Sequence, residues 1–314
     1  MKPKQMPHKK CTIIGAPVET GAGRRGSQMG PDALRTAGLA QALGELGFEV
    51  SDIGNLVPDP LATISHPFAA KNLGQTIAWT IALERAAFEV AQSGSFPIFA
   101  GGDHSVSLGS VSGIARHAQQ LDRPLFVLWL DAHADFHRLD TTPSGNLHGT
   151  PVAYFTGRES FTPYFAAPIS PVPTNRVMMM GIRSLDRAER QSIRAIGVKV
   201  HDMRDIDEFG IIKPLNNFID EVKSQNGLLH VSLDVDFLDP EIAPAVGTCV
   251  PGGATFREAH LIMEILSQSD IVSSLDLAEL NPFLDHRGKT ARLMVDLTTS
   301  LMGKQIMDRP ATSY

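Results

Sequence analysis

Three short segments hold the residues best able to do chemistry, and each ends an apolar run in carboxylates and imidazoles. In FPIFAGGDHS, Asp103 and His104 follow two glycines. In LFVLWLDAHADFH, Asp131, His133 and Asp135 occupy alternate positions. In LLHVSLDVDFLDP, Asp234 and Asp236 lie two apart, with Asp239 just beyond. Residues two apart in an extended chain point to the same face, so Asp131, His133 and Asp135 converge, as do Asp234 and Asp236. Carboxylates gathered in this way raise one another's pKa, and a bound divalent cation removes the conflict. The donors are rich in carboxylate, with two imidazoles and no cysteine, which suits manganese, magnesium or a similar ion better than structural zinc. Four carboxylates and two histidines exceed the needs of one ion. Two ions sharing a bridging hydroxide would use them all and make a nucleophile at neutral pH.

A single Asp-x-Asp after a strand is ordinarily a loop or a helix cap, and it is the three segments together that favour a metal site. The bland reading stands for His8, His66, His117, His201, His230, His260 and His286, which lack such neighbours and are expected at the surface or in the core. Cys11 and Cys249 read as buried small hydrophobes. Asp103 either hydrogen-bonds a ligand or caps the next helix, and Asp239, before Pro240, is a ligand's partner or a turn residue. Gly101 and Gly102 allow close backbone approach, but the Gly-x-Gly-x-x-Gly spacing of a dinucleotide site is absent after the first strand.

The elements that must position these residues are short β-rich runs alternating with helical patterns. Candidate strands are Cys11–Gly15, Glu49–Ile53, Pro97–Ala100, Leu125–Leu130, Arg176–Gly181, Val198–His201, Leu228–Leu233 and Ile271–Leu275. Several are apolar throughout, as strands buried on both faces are. Candidate helices are Pro31–Leu46, Lys71–Ser93, Val106–Gln119, Asp186–Ala195, Ile212–Ser224, Phe256–Ser267 and Thr290–Met302. This alternation predicts an α/β fold of three layers, a mostly parallel eight-stranded sheet with helices on both faces. In open parallel sheets, ligands bind at the carboxyl ends of the strands, where all three motifs fall. Irregular stretches are expected at Val57–Pro67, at the polar loop His137–His148 and at Pro163–Pro173.

The bulk properties agree. A chain of 314 residues with 43% hydrophobic residues can bury a large core, and one domain over 1–314 is the expectation. A net charge of −6 gives no basic excess for nucleic acid or an anionic membrane. No run of about 18 apolar residues predicts a membrane span. The basic start MKPKQMPHKK is followed by an apolar stretch too short for a signal-peptide core. Two cysteines make no disulfide framework, which fits a reducing, cytoplasmic location.

The same segments resemble the ureohydrolases, the family of arginases and agmatinases, over nearly the whole chain. GGDHSVSLGS, DAHADFH, SLDVDFLDP and SLDLAELNP match the family's metal and substrate motifs in order; GAPVETGAGRRGSQMGPDALRTAGL resembles its N-terminal segment and ARLMVDLTTSLMG its last helix. The resemblance implies two Mn2+ per subunit, one held by His104, Asp131, Asp135 and Asp234, the other by His133, Asp131, Asp234 and Asp236, with Asp131 and Asp234 bridging. It further implies a hydroxide, oriented by Asp135, that attacks a guanidinium carbon; His148 as the proton shuttle to the leaving amine; and Glu279 as the guanidinium's partner. Thr248 would line the guanidinium pocket. The loop TTPSGNLHGTPVA resembles the arginase loop that reads an α-amino-acid end, with Ser144, Asn146 and His137 at the α-carboxylate and Asp186 and Glu189 near the α-amino group. His137 stands where arginases commonly carry Asn, and imidazole can still donate to a carboxylate. The implied reaction is cleavage of L-arginine to L-ornithine and urea. The alternative is an agmatinase or another amidino-hydrolase acting on a related guanidino compound. A silent relative that only binds would show lost ligands, yet all six are present, and a single-metal deacetylase would need fewer carboxylates. The family's assemblies imply a homotrimer or homohexamer.

Overall fold

The computed structural model describes residues 10–305. Eight strands, β1 (Lys10–Ala16), β2 (Glu49–Asn55), β3 (Phe96–Gly101), β4 (Leu125–Leu130), β5 (Val177–Ile182), β6 (Lys199–Asp202), β7 (Leu228–Asp234) and β8 (Val272–Ala278), form one sheet in the order β2-β1-β3-β8-β7-β4-β5-β6. Every pairing is parallel, so the sheet is wholly rather than mostly parallel. Among the described residues, ten α-helices accompany them, nine in the connections and the last after β8: α1 (Gly30–Thr36), α2 (Leu39–Glu45), α3 (Leu73–Gln92), α4 (Val106–Gln120), α5 (Pro151–Phe155), α6 (Arg187–Ile196), α7 (Met203–Phe209), α8 (Ile212–Ser224), α9 (Phe256–Ser269) and α10 (Lys289–Leu301).

Side-chain alternation builds the three layers. Along β4, Phe126, Leu128 and Leu130 enter one apolar cluster with residues of α1, α2 and α7 to α10, while Leu125, Val127 and Trp129 enter a second with α3 to α6. Each face of the sheet is thus covered by helices, and each fully buried large aliphatic side chain contributes about 1.5–3 kcal/mol. The central strands β3, β4 and β7 are buried at every position; β3 and β4 accordingly carry no charged side chain, whereas β7 alternates and sets His230, Ser232 and Asp234 on one face.

Several local expectations are corrected. The helix expected over Pro31–Leu46 is two helices, because Gly38 adopts φ 90° and starts a new one. The short helices α5 and α7 were not anticipated. The last strand runs three residues beyond Leu275, to Ala278, which brings Glu279 directly to its end. Cys11 is buried, but Cys249 is exposed, since it lies in an irregular loop rather than under a helix. Val57–Pro67 is irregular and mostly exposed, as expected. His8 lies outside the described residues. Among the described residues, no helix is long and apolar enough to cross a membrane.

Candidate active site

The four neighbouring strands β3, β8, β7 and β4 deliver the chemical residues from their carboxyl ends. His104 follows β3, Asp131, His133 and Asp135 follow β4, Asp234 ends β7 with Asp236 in the turn beyond it, and Glu279 follows β8. Gly102 makes the approach possible: a Cβ there would lie 1.9 Å from the Val18 carbonyl oxygen. The His104 ring lies flat on the Trp129 indole, with centroids 4.1 Å apart and planes 8° from parallel. Asp135 (φ 47°) and Glu279 (φ 64°) sit in the left-handed region. That conformation costs a non-glycine residue about 1–2 kcal/mol and here turns both carboxylates inward.

Five of the six candidate ligands form two groups joined by Asp131, with Asp234 in the first group alone and Asp135 beside that group. His104 Nδ1 is 3.0 Å from Asp131 Oδ2, 2.9 Å from Asp234 Oδ2 and 3.3 Å from Asp135 Oδ2. His133 Nδ1 is 2.9 Å from Asp236 Oδ2 and 3.6 Å from Asp131 Oδ1. Asp131 therefore turns one oxygen to each imidazole. His104, Asp131 and Asp234 could hold one ion, and Asp131, His133 and Asp236 another. The fit to a cation is visible in the bonding: His104 Nδ1 and Asp131 Oδ2 are buried without a hydrogen-bond partner, a costly state that a metal ion relieves. The electrostatics agree. Burial and then the charge of Asp131 push Asp135 up to about 7. Burial and neighbouring carboxylates also raise Asp234 and Asp236. Burial would raise Asp131 too, but the close imidazoles of His104 and His133 hold it below the usual range. Burial opposes charge on His133, yet Asp131 and Asp236 push it up to about 12.

Above these groups lies a cavity of about 140 Å³ lined by His133, Asp135, His137, Thr142, Ser144, Asn146, His148, Gly149, Glu189, Asp234, Asp236, Thr248 and Glu279. His104 and Asp131 lie beneath it, buried. His148 Nδ1 is 2.8 Å from Glu279 Oε1, which also accepts the His104 backbone N–H at 2.8 Å. Burial opposes charge on His148, but the charge and hydrogen bond of Glu279 raise it to about 9. Burial likewise raises Glu279, and His148 brings it back below its ordinary range. Thr248 donates to Asp236 Oδ2 at 3.3 Å.

At the rim, Asp186 plays two parts. Its Oδ1 caps α6 by accepting the Glu189 N–H at 2.9 Å, and its Oδ2 lies 3.0 Å from His137 Nε2. Glu189 Oε2 is 3.5 Å from the same nitrogen, and His137 Nδ1 faces Thr141 Oγ1 at 3.4 Å. His137 is thus turned toward the acidic pair rather than left free. Asp103 and Asp239 are framework residues: Asp103 accepts from Gly21, Ala22 and Ser105, and Asp239 from Glu241, Gly252 and Gly253.

The motifs did not point to Thr142 or Lys71. Thr142 lines the cavity from the same loop as Ser144, and its proximity in sequence was the available signal. Lys71 donates to Asn146 Oδ1 at 3.2 Å from 75 positions away, and no local pattern marks it.

A sequence model of the Arginase family matches residues 9–303. The chain is 58% identical to the arginase of Agrobacterium fabrum over 98% of this chain and 94% of that protein. It is 57% identical to the arginase of Brucella suis over 97% of this chain and 99% of that protein. The solved structure of the arginase from Bacillus caldovelox superposes with a TM-score of 0.87 at 38% identity, covering 95% of this chain and 99% of that one. With the family sequence, the eight-stranded parallel sheet and the paired carboxylate–imidazole groups all in one chain, this protein belongs to the arginase family of hydrolases.

Proposed function

We propose that the chain hydrolyses L-arginine to L-ornithine and urea with two manganese ions held at the ends of β3, β4 and β7. The observation that carries this reading is Asp131, buried and presenting one oxygen to each of two imidazoles beneath a cavity lined by Glu279 and His148 among others. His104, Asp131, Asp135 and Asp234 would hold one ion, and His133, Asp131, Asp234 and Asp236 the other. Bound there, the ions supply a hydroxide nucleophile at neutral pH. The carboxylate-rich donors suit manganese, and the absence of thiolate argues against a structural zinc site.

The chain's own residues do the rest. Glu279 accepts from the guanidinium, whose planar N–H donors match a carboxylate. Both of its protein bonds fall on Oε1, so Oε2 is the oxygen left for the substrate. Asp135 orients the nucleophile. His148, bonded to Glu279, donates to the departing amine. Thr248 lines the guanidinium end. Ser144 and Asn146 read the α-carboxylate, with the ammonium of Lys71 beside Asn146, and Asp186 and Glu189, which His137 faces, read the α-amino group.

Agmatine shares the guanidinium but lacks the carboxylate, so it isolates the rim's share. Urea release from manganese-loaded protein should favour L-arginine over agmatine by about a hundredfold or more in kcat/KM, because each lost charge-assisted hydrogen bond costs about 1.5–3 kcal/mol. A preference for agmatine would keep the metal chemistry and overturn the rim assignments.

A further inference from the structure

We propose that a buried chain of hydrogen bonds, His104–Ser232–Ser107–Asp276, fixes His104 as an Nδ1 ligand and so sets how tightly the His104, Asp131 and Asp234 group holds its ion. The inference rests on the metal reading above and adds residues that lie outside the cavity and touch neither substrate nor ion.

The geometry is continuous. His104 Nε2 is 2.8 Å from Ser232 Oγ, which is 3.3 Å from Ser107 Oγ. Ser107 donates to Asp276 Oδ2 at 2.6 Å, and Ser110 donates to the same oxygen at 2.7 Å. His230 Nε2 lies 3.2 Å from that oxygen, without hydrogen-bond alignment. The other His230 nitrogen meets Ser274 Oγ at 2.8 Å. Ser107, Ser110, Ser232, His230 and Asp276 are completely buried.

The chemistry of these groups gives the chain one direction. An ionised carboxylate only accepts, so Ser107 commits its proton to Asp276. Ser107 can then only accept from Ser232. With its own proton committed, Ser232 accepts from His104. His104 Nε2 therefore carries a hydrogen, and Nδ1, which faces Asp131, Asp135 and Asp234, is the nitrogen that presents a lone pair when an ion enters. Burial alone would raise Asp276, but the charge of His230 and the hydroxyl donors hold its carboxyl below the usual range. The Trp129 ring stacked on His104 resists rotation. A buried charge is an expensive way to fill a core, and apolar residues of similar size would pack there without that cost. Its connection to a ligand gives it a use, because outer partners of a ligating histidine fix the tautomer and raise its basicity.

Ser107→Ala cuts the chain in its middle, leaves His104 and Ser232 in place and changes little volume. Ser110→Ala is the matched control: equally buried, bonded to the same carboxylate oxygen, and off the path. Manganese affinity of the full chain is measured by competition with a chromophoric chelator, alongside the thermal midpoint of each ion-free variant. Ser107→Ala should weaken one of the two ions by about 10–100-fold, and Ser110→Ala should stay within about threefold of wild type, while both lower the ion-free midpoint similarly. Equal affinities in the two variants would overturn the relay and leave the metal reading standing. A wild-type chain that binds no manganese would overturn both.

Discussion

Asp131→Asn should abolish urea release and leave fewer than two ions per chain. Asp131 is fully buried, with Oδ2 at 3.0 Å from His104 Nδ1 and Oδ1 at 3.6 Å from His133 Nδ1. An amide of the same shape keeps one oxygen and replaces the other with an NH2 group, which donates and cannot ligate. One of the two groups must then lose a ligand whichever way the amide turns. The buried cluster also loses a negative charge that offsets the two imidazoles and the ions. Generation of a nucleophile at neutral pH depends on the ions, so kcat/KM should fall on the order of 10³-fold or more, with metal content falling in parallel. Elemental analysis and a urea assay on the same preparation read both effects. Wild-type turnover with two ions retained would refute the assignment of Asp131 as a shared ligand.

Glu279→Gln should leave the ions in place and remove the carboxylate proposed to pair with the guanidinium. Breaking a buried charge pair costs about 3–5 kcal/mol, which corresponds to roughly 10²–10⁴-fold in kcat/KM. Its second consequence is electrostatic. In the ion-free protein burial disfavours charge on His148, and Glu279 reverses that and holds it at about 9 against an ordinary 6.5. With the carboxylate gone, burial acts with less opposition, and the His148 midpoint should drop sharply. A raised histidine pKa means that the folded state binds the proton more tightly. The pair's contribution to stability is therefore complete below about pH 6.5 and is lost as pH rises through about 9. The ion-free wild type should lose stability across that window, and the Glu279→Gln variant should lose less. Histidine ring NMR and urea melts from pH 6 to 10 check both. An unshifted His148 midpoint would show that Glu279 is not the group holding its charge.

Much of the site was legible because it uses the simplest periodicity a chain has. Alternate residues of an extended segment share a face, so Asp131, His133 and Asp135 could be placed together before any fold was known, as could Asp234 and Asp236. The same rule reaches Ser232, two positions before Asp234, although a lone serine in a strand carries no signal of its own. What stayed hidden depends on distant parts of the chain. The His148–Glu279 contact spans 131 positions and Lys71–Asn146 spans 75, and only the sheet order brings such pairs together. His230 read as an ordinary surface or core histidine. It is a core residue, and its partner Asp276 comes from the adjacent strand β8. The break at Gly38 was masked by a helical pattern that continues on both sides of it. The short helices α5 and α7 contain too few turns to show periodicity. The Cys249 expectation failed because residue type alone was used where loop position decides exposure.

The central claim is that two ions share one carboxylate-lined site and that the reaction needs both. The most direct test is the number of manganese ions bound per chain, measured as ion-free protein is titrated with manganese and urea release from L-arginine is followed at each point. The account predicts two ions per chain at saturation, with full turnover reached only when the second is bound. Full turnover at one ion per chain, or at none, would contradict it.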